Sequence, residues 1–299
     1  PYLSIHANDG ATLPIDETKF QGEAGKRLGI GAGMVVGGGP TGTHATDFAT
    51  LNNVHIYQNG MDLSQSIEGN RHRGARMGGG LVVAGKANIH MISVKVESNV
   101  ANTGGGVAIL NGANVVMKGK SILRKNIAVL LDDSQCEEMY DVASTVTDGT
   151  YKSCGCGGGG MYLAGASDVQ RIQGVQGTQG VQPVQQQSTV RVIENSEFMQ
   201  NTAKTGGGGG VKMCRNTFGH FEGILFEGNR AGITGTRKPT DNEGNSKMSD
   251  TGGSIRAIGA HVILEETIMR DDVHYLEVSA SNMFAPVRAY ERVWTTDTT

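Results

Sequence analysis

The chain has 299 residues, of which 37% are hydrophobic and only 5% aromatic, with 46 glycines and a formal net charge of −3. So small a charge gives no general attraction to nucleic acid or an anionic membrane, and no apolar run approaches the roughly 20 residues of a membrane helix. Glycine at more than twice its usual share of about 7% argues against a large globular enzyme core. It suits many tight turns around a thin core of Val, Ile, Leu and Met.

Residues 1–30 open with the alternating run Tyr2-Leu3-Ser4-Ile5-His6 and read as an entry coil or N-terminal edge. The chain begins at Pro1 rather than Met, so it is read as processed or as a segment of something longer. Gly31-Ala32-Gly33 followed by Met34-Val35-Val36 predicts a first turn and strand. Residues 37–48 read as a loop, and Val54-His55-Ile56-Tyr57-Gln58-Asn59 closes that coil. A polar excursion over 60–76 ends in Arg71-His72-Arg73-Gly74-Ala75-Arg76. Arg71, His72, Arg73 and Arg76 are candidate contacts for an anionic glycan, weighed against a plain solvated loop.

The stretch 78–126 then repeats on itself. A shift of 26 residues places Gly78-Gly79-Gly80 on Gly104-Gly105-Gly106, Leu81 on Val107, Val83 on Ile109, Ile89 on Val115 and Met91 on Met117. A shift of 27 places Val96 on Leu123 and Asn99 on Asn126. Each copy holds three short segments alternating apolar and polar, the strand period. A fixed repeat of this length marks a solenoid or array.

Residues 127–157 break the register and hold three of the four cysteines. Gly158-Gly159-Gly160 restarts the pattern with Met161-Tyr162-Leu163, and the low-complexity Val/Gln/Gly run over 169–187 reads as a protruding loop. Val190-Arg191-Val192-Ile193 resumes the pattern up to Asn201. Gly208-Gly209-Gly210 lies 130 residues after the first full triplet, and at that shift Met91 falls on Phe221, Val94 on Ile224, Val96 on Phe226 and Asn99 on Asn229. Residues 231–250 form another polar insertion, and Gly252-Gly253-Ser254 opens the last clear copy. The tail, 273–299, reads as a cap or linker.

These features predict an all-β chain, a right-handed parallel β-helix of about six to eight coils over 31–272 with long corner loops. Stacked inward side chains at a spacing of roughly 4.8 Å would form apolar ladders. The glycine triplets would permit sharp corners and positive φ. Asn59, Asn99, Asn126, Asn201 and Asn229 would sit at one corner in the left-handed conformation, each bonding its amide to the next. Phe221, Ile224 and Phe226 are expected inward with Met213, and Cys214 outward.

The pairing of Gly79-Gly80-Leu81, Gly105-Gly106-Val107, Gly159-Gly160-Met161 and Gly209-Gly210-Val211 with Phe198…Asn201 and Phe226…Asn229 resembles the GG[GA]-[ILV]/FxxN repeat of the chlamydial polymorphic outer-membrane proteins. Similar repeats occur in large surface proteins of algae and protists. Ile56…Asn59, Val96…Asn99 and Leu123…Asn126 are aliphatic variants. The resemblance implies a parallel β-helix in an exported adhesive or structural protein.

Little in the sequence points to catalysis. Asp132-Asp133 and Asp271-Asp272 fall in non-adjacent coils, Glu137-Glu138 and Glu265-Glu266 read as solvated, and His90, His220 and His261 are placed in different phases. No metal ligand set, cofactor motif or catalytic residue is therefore assigned. Cys154-Gly-Cys156 is half of a metal clip without its partner half. One or two disulfides, or plain buried thiols, fit better, and a disulfide of Cys136 with Cys154 or Cys156 is the pairing expected in an oxidising compartment. The expected function is a structural or adhesive module, extracellular or on the cell surface. Its partners would be other protein subunits, through its ends or the 169–187 and 231–250 loops, and glycans; nucleic acid is not expected. The alternative is a β-helix that binds polysaccharide or degrades it as a lyase or hydrolase.

Overall fold

A computed structural model describes residues 3–6, 33–37, 48–60, 77–85, 87–110, 112–129, 157–165, 187–204, 206–232, 252–270, 276–279 and 288–290. Arg71, His72, Arg73, Arg76, Cys136, Cys154 and Cys156 lie outside these residues, as do Asp132, Asp133, Asp271 and Asp272.

The chain is a parallel β-helix. Among the described residues the strands form three seven-stranded sheets and one four-stranded sheet, and every strand pairing is parallel. One coil shows the plan: Leu81–Ala84 in the first sheet, Asn88–Ile92 in the second, Lys95–Glu97 in the third and Val100–Ala101 in the fourth. The next coil repeats it with Val107–Leu110, Asn114–Lys118, Ile122–Arg124 and Ile127–Ala128. The expected pairs hold in register: Leu81 with Val107, Val83 with Ile109, Ile89 with Val115, Met91 with Met117 and Val96 with Leu123.

Three features differ from the sequence reading. The fourth, two-residue strand was not foreseen, because two residues are too few to show alternation. Phe48–Asn52 supplies the second-sheet strand of the first coil, directly after the loop read over 37–48. Leu276–Ser279 and Arg288–Tyr290, both in the tail, extend the first and second sheets beyond the last glycine triplet.

Inward side chains of the first three sheets make one continuous core. Leu81, Met91, Val96, Ile109, Met117, Leu123, Phe198, Met213, Phe221 and Phe226 are fully shielded from solvent. Each such aliphatic or aromatic side chain contributes about 1.5–3 kcal/mol by leaving water. Phe226 stacks on Phe198 at a centroid distance of 4.8 Å and meets Phe221 edge-on at 5.8 Å. The expected inward positions of Phe221, Ile224, Phe226 and Met213 agree with this core.

The glycine triplets do three separate jobs. Only the first glycine has positive φ, between 61° and 74° at Gly78, Gly104, Gly158, Gly208 and Gly252. At the second, a Cβ would strike the backbone of the same coil's fourth strand: at Gly105 it would stand 2.4 Å from the Ile127 carbonyl oxygen. At the third, it would strike the carbonyl of the neighbouring coil's third position, as at Gly106 with Gly160 O at 2.5 Å. Close backbone approach, rather than left-handed geometry throughout, is why three glycines recur.

The asparagine corner stacks as expected but with a different backbone. Asn59, Asn99, Asn126 and Asn201 each donate from Nδ2 to the Oδ1 of the next asparagine at 3.0 Å, ending on Asn229. The same Oδ1 also accepts the backbone N–H of the previous asparagine at 3.0–3.1 Å. The left-handed residue is not the asparagine but the one before it: Gln58, Ser98, Lys125, Gln200 and Gly228, with φ of 54° to 63°. Placing the turn there lets the asparagine side chain point inward, where it is buried.

Candidate functional site

The loops leave from particular corners. Two residues always join the third sheet to the fourth, as Ser98-Asn99 and Lys125-Asn126 do, and one to four residues join the second sheet to the third. The long insertions fall between the first and second sheets or before the glycine triplets. Among the described residues, the outward side chains of the second and third sheets stand in rows set by the strand register.

The first sheet is different, being buried on both faces in most of its coils. Val82, Ala108, Leu110, Tyr162, Ala164 and Cys214 form a second apolar cluster on its outer side. Lys212 is buried there, its Nζ donating to the Gly206 carbonyl at 2.5 Å. Cys214 points away from the main core, as expected, yet is fully buried, with Tyr162 Oη 3.3 Å from its Sγ. It is disulfide-bonded, to a partner outside the described residues. The sequence reading paired Cys136 with Cys154 or Cys156, the cysteines that flank the 137–153 excursion, and left this residue out.

On the third sheet, His55, Glu97 and Arg124 come together from three adjacent coils. Arg124 Nε donates to Glu97 Oε1 at 2.7 Å, and His55 Nε2 lies 3.2 Å from Glu97 Oε2. The His55 ring stacks on Tyr57 at 4.4 Å. Burial pushes the Glu97 carboxyl up. The hydrogen bonds and charges of Arg124 and His55 outweigh it and hold the group below its ordinary 4.5. Further along the same row Arg270 Nη2 donates to Glu227 Oε2 at 2.9 Å.

On the second sheet a second charged group spans three coils. Glu222 and Glu265 are register partners on neighbouring strands, and Arg191 pairs with His220. His220 Nε2 lies 3.0 Å from Glu265 Oε2 and 4.0 Å from Glu222 Oε2, while Arg191 Nη2 is 3.6 Å from Glu222 Oε2. Two corrections follow. His90 and His220 share one row, with Val116 and Arg191 between them, so they are in the same phase. Glu265 is not simply solvated, being bonded to His220. The signal was available: the 43-residue shift that carries Phe226 onto Met269 also carries Glu222 onto Glu265. The same register pairs Glu97 with Arg124 within 78–126, a meeting of outward charges that the sequence reading also passed over.

Next to these rows, Ser121 is fully buried. Its Oγ accepts the Val94 N–H at 3.0 Å and donates to Lys118 O at 2.7 Å. The corner between the second and third sheets turns one residue earlier, at Lys120, where φ is 58°. The structural glycines and asparagines all fall at corners of the coil, where their role is to shape it rather than to bind a ligand.

No helix among the described residues is long and apolar enough to cross a membrane. No family model matches the chain, nor does any curated protein or solved structure.

Proposed function

We propose that this chain is a structural or adhesive β-helix module of an extracellular or cell-surface assembly, akin to the repeat segments of polymorphic outer-membrane proteins. The observation that carries the reading is the strand register on the outward side of the second and third sheets, which brings charged groups of neighbouring coils together at several points, as Glu97 with Arg124, Glu227 with Arg270 and His220 with Glu265, between apolar residues such as Val116 and Ile268. Such rows offer contacts at several points along one axis. Weak contacts repeated in this way add to strong attachment without any single deep pocket. The buried disulfide at Cys214 supports an oxidising location, and the glycine and asparagine corners favour a stiff rod over a hinged one. Neighbouring subunits or extended glycans are the partners this surface suits.

The test is to display the full gene product and label it on intact cells, then to image the purified protein and measure its adhesion to glycan-bearing and protein-coated surfaces. Rod-shaped particles that adhere, and lose adhesion when Arg124 and Arg270 are replaced by Glu, would support the proposal. Protein found only inside cells would overturn it.

The group of Arg191, His220, Glu222 and Glu265 favours a second reading, a β-helix that binds or cleaves acidic polysaccharide on its outer face. Release of unsaturated or reducing ends from polyuronates, lost in Glu222→Gln, would move the assignment there.

A further inference from the structure

We infer that His220, Glu222 and Glu265 form a site for a divalent transition-metal ion of the zinc type on the outer face of the second sheet. The inference is independent of the proposed adhesive role. One imidazole nitrogen and two carboxylate oxygens lie within 4.8 Å of one another there. The parallel register creates the arrangement: Glu222 and Glu265 are partners on adjacent coils, and His220 precedes Glu222 by two residues, so all three side chains share one face.

Metal bonds of about 2.1 Å place neighbouring ligand atoms roughly 3.0–3.4 Å apart. The His220–Glu265 pair is already at 3.0 Å, whereas His220 and Glu222 are 4.0 Å apart. The Glu222 side chain is 45% exposed and so has room to rotate inward. Charge favours the same outcome. Two carboxylates facing each other across adjacent strands repel, and the described cation nearest Glu222 is Arg191, at 3.6 Å and 55% exposed. A divalent ion between the carboxylates would neutralise both and displace Arg191 into solvent. The imidazole donor selects zinc-like ions over calcium or magnesium, which take oxygen ligands. Three protein ligands leave at least one position for water.

The experiment is calorimetric titration of the intact chain with Zn²⁺ near neutral pH, with Mg²⁺ and Ca²⁺ as comparisons. Chelator-treated protein checks by circular dichroism that each variant keeps the wild-type melt. Wild type should bind one Zn²⁺ that His220→Ala and Glu265→Gln each weaken by about tenfold or more. Arg191→Ala should tighten binding several-fold by removing a competing positive charge, an effect that simple loss of structure cannot produce. If His220→Ala fails to keep the fold, Glu222→Gln, with its more exposed side chain, carries the same comparison. Zinc affinity unchanged in these variants, or no binding at sub-millimolar Zn²⁺, would overturn the inference.

Discussion

Replacing Asn126 by alanine should destabilise the middle of the solenoid by several kcal/mol. The side chain is fully buried and makes four hydrogen bonds. Nδ2 donates to Val96 O at 2.9 Å and to Asn201 Oδ1 at 3.0 Å. Oδ1 accepts the Asn99 backbone N–H at 3.1 Å and Asn99 Nδ2 at 3.0 Å. Truncation leaves Asn201 Oδ1 with a partner, because the Asn126 backbone N–H still reaches it at 3.1 Å. The Asn99 N–H and one Asn99 amide hydrogen lose theirs, whereas the Val96 carbonyl keeps its place in the parallel ladder with Ile122–Arg124. At about 1–3 kcal/mol for each orphaned buried group, partly offset by water entering the vacated space, the cost is about 2–5 kcal/mol. Because a solenoid is stabilised coil by coil, the damage should be local. Urea titration followed by circular dichroism gives the total, and amide exchange should show lost protection in the 95–128 and 197–203 segments first. Asn126→Asp keeps the shape but offers an acceptor where Val96 O and Asn201 Oδ1 need a donor, so it should not rescue. A loss below about 1 kcal/mol, the usual size of an ordinary point substitution, would show that the asparagine ladder does not hold this corner.

Gly105→Ala and Gly223→Ala should separate close approach from backbone conformation. The first brings a Cβ within 2.4–2.6 Å of Ile127 backbone atoms and should cost about 3 kcal/mol or more, because rigid backbone cannot yield. The second has φ of +65° but open space, and should cost only about 1–2 kcal/mol; thermal melts of the two variants distinguish the cases. Phe226→Asp removes a ring stacked on Phe198 and buries a carboxylate. It should lose at least the ~3–5 kcal/mol of a deleted core Phe, and a wild-type melt would show the register to be wrong. Since Glu97 is held below its ordinary 4.5 in the folded chain, its contribution is present above that value and is lost as pH falls through the lower folded value. The stability difference between wild type and Glu97→Gln should therefore shrink on acidification from neutral pH to below 4.5, and a difference that grows would contradict the assigned ion pairs.

Much of the fold was legible because inward positions declare themselves. Leu81, Val83, Ile89, Met91 and Val96 recur as apolar residues at a fixed phase, and only a stacked coil uses such a pattern. The asparagine ladder was legible for a similar reason, since a buried amide must find partners and another asparagine one coil away supplies them. Other features needed the backbone in space. The left-handed turn falls one residue before each asparagine, a shift that the asparagine spacing cannot show. The distinct roles of the three glycines depend on how closely one coil's end approaches its own beginning. The outer surface was the least legible part. Its residues carry no hydrophobic signature, and the offset between equivalent positions runs from 26 residues in the clean copies to 43 at Glu222 and Glu265 and 75 where Asn126 meets Asn201. Composition and periodicity thus determined that the chain coils and which side chains fill it. Which outward residues meet, as His220, Glu222 and Glu265 do, was decided only by tertiary structure, because insertions of unequal length must first be looped out before distant strands fall into register.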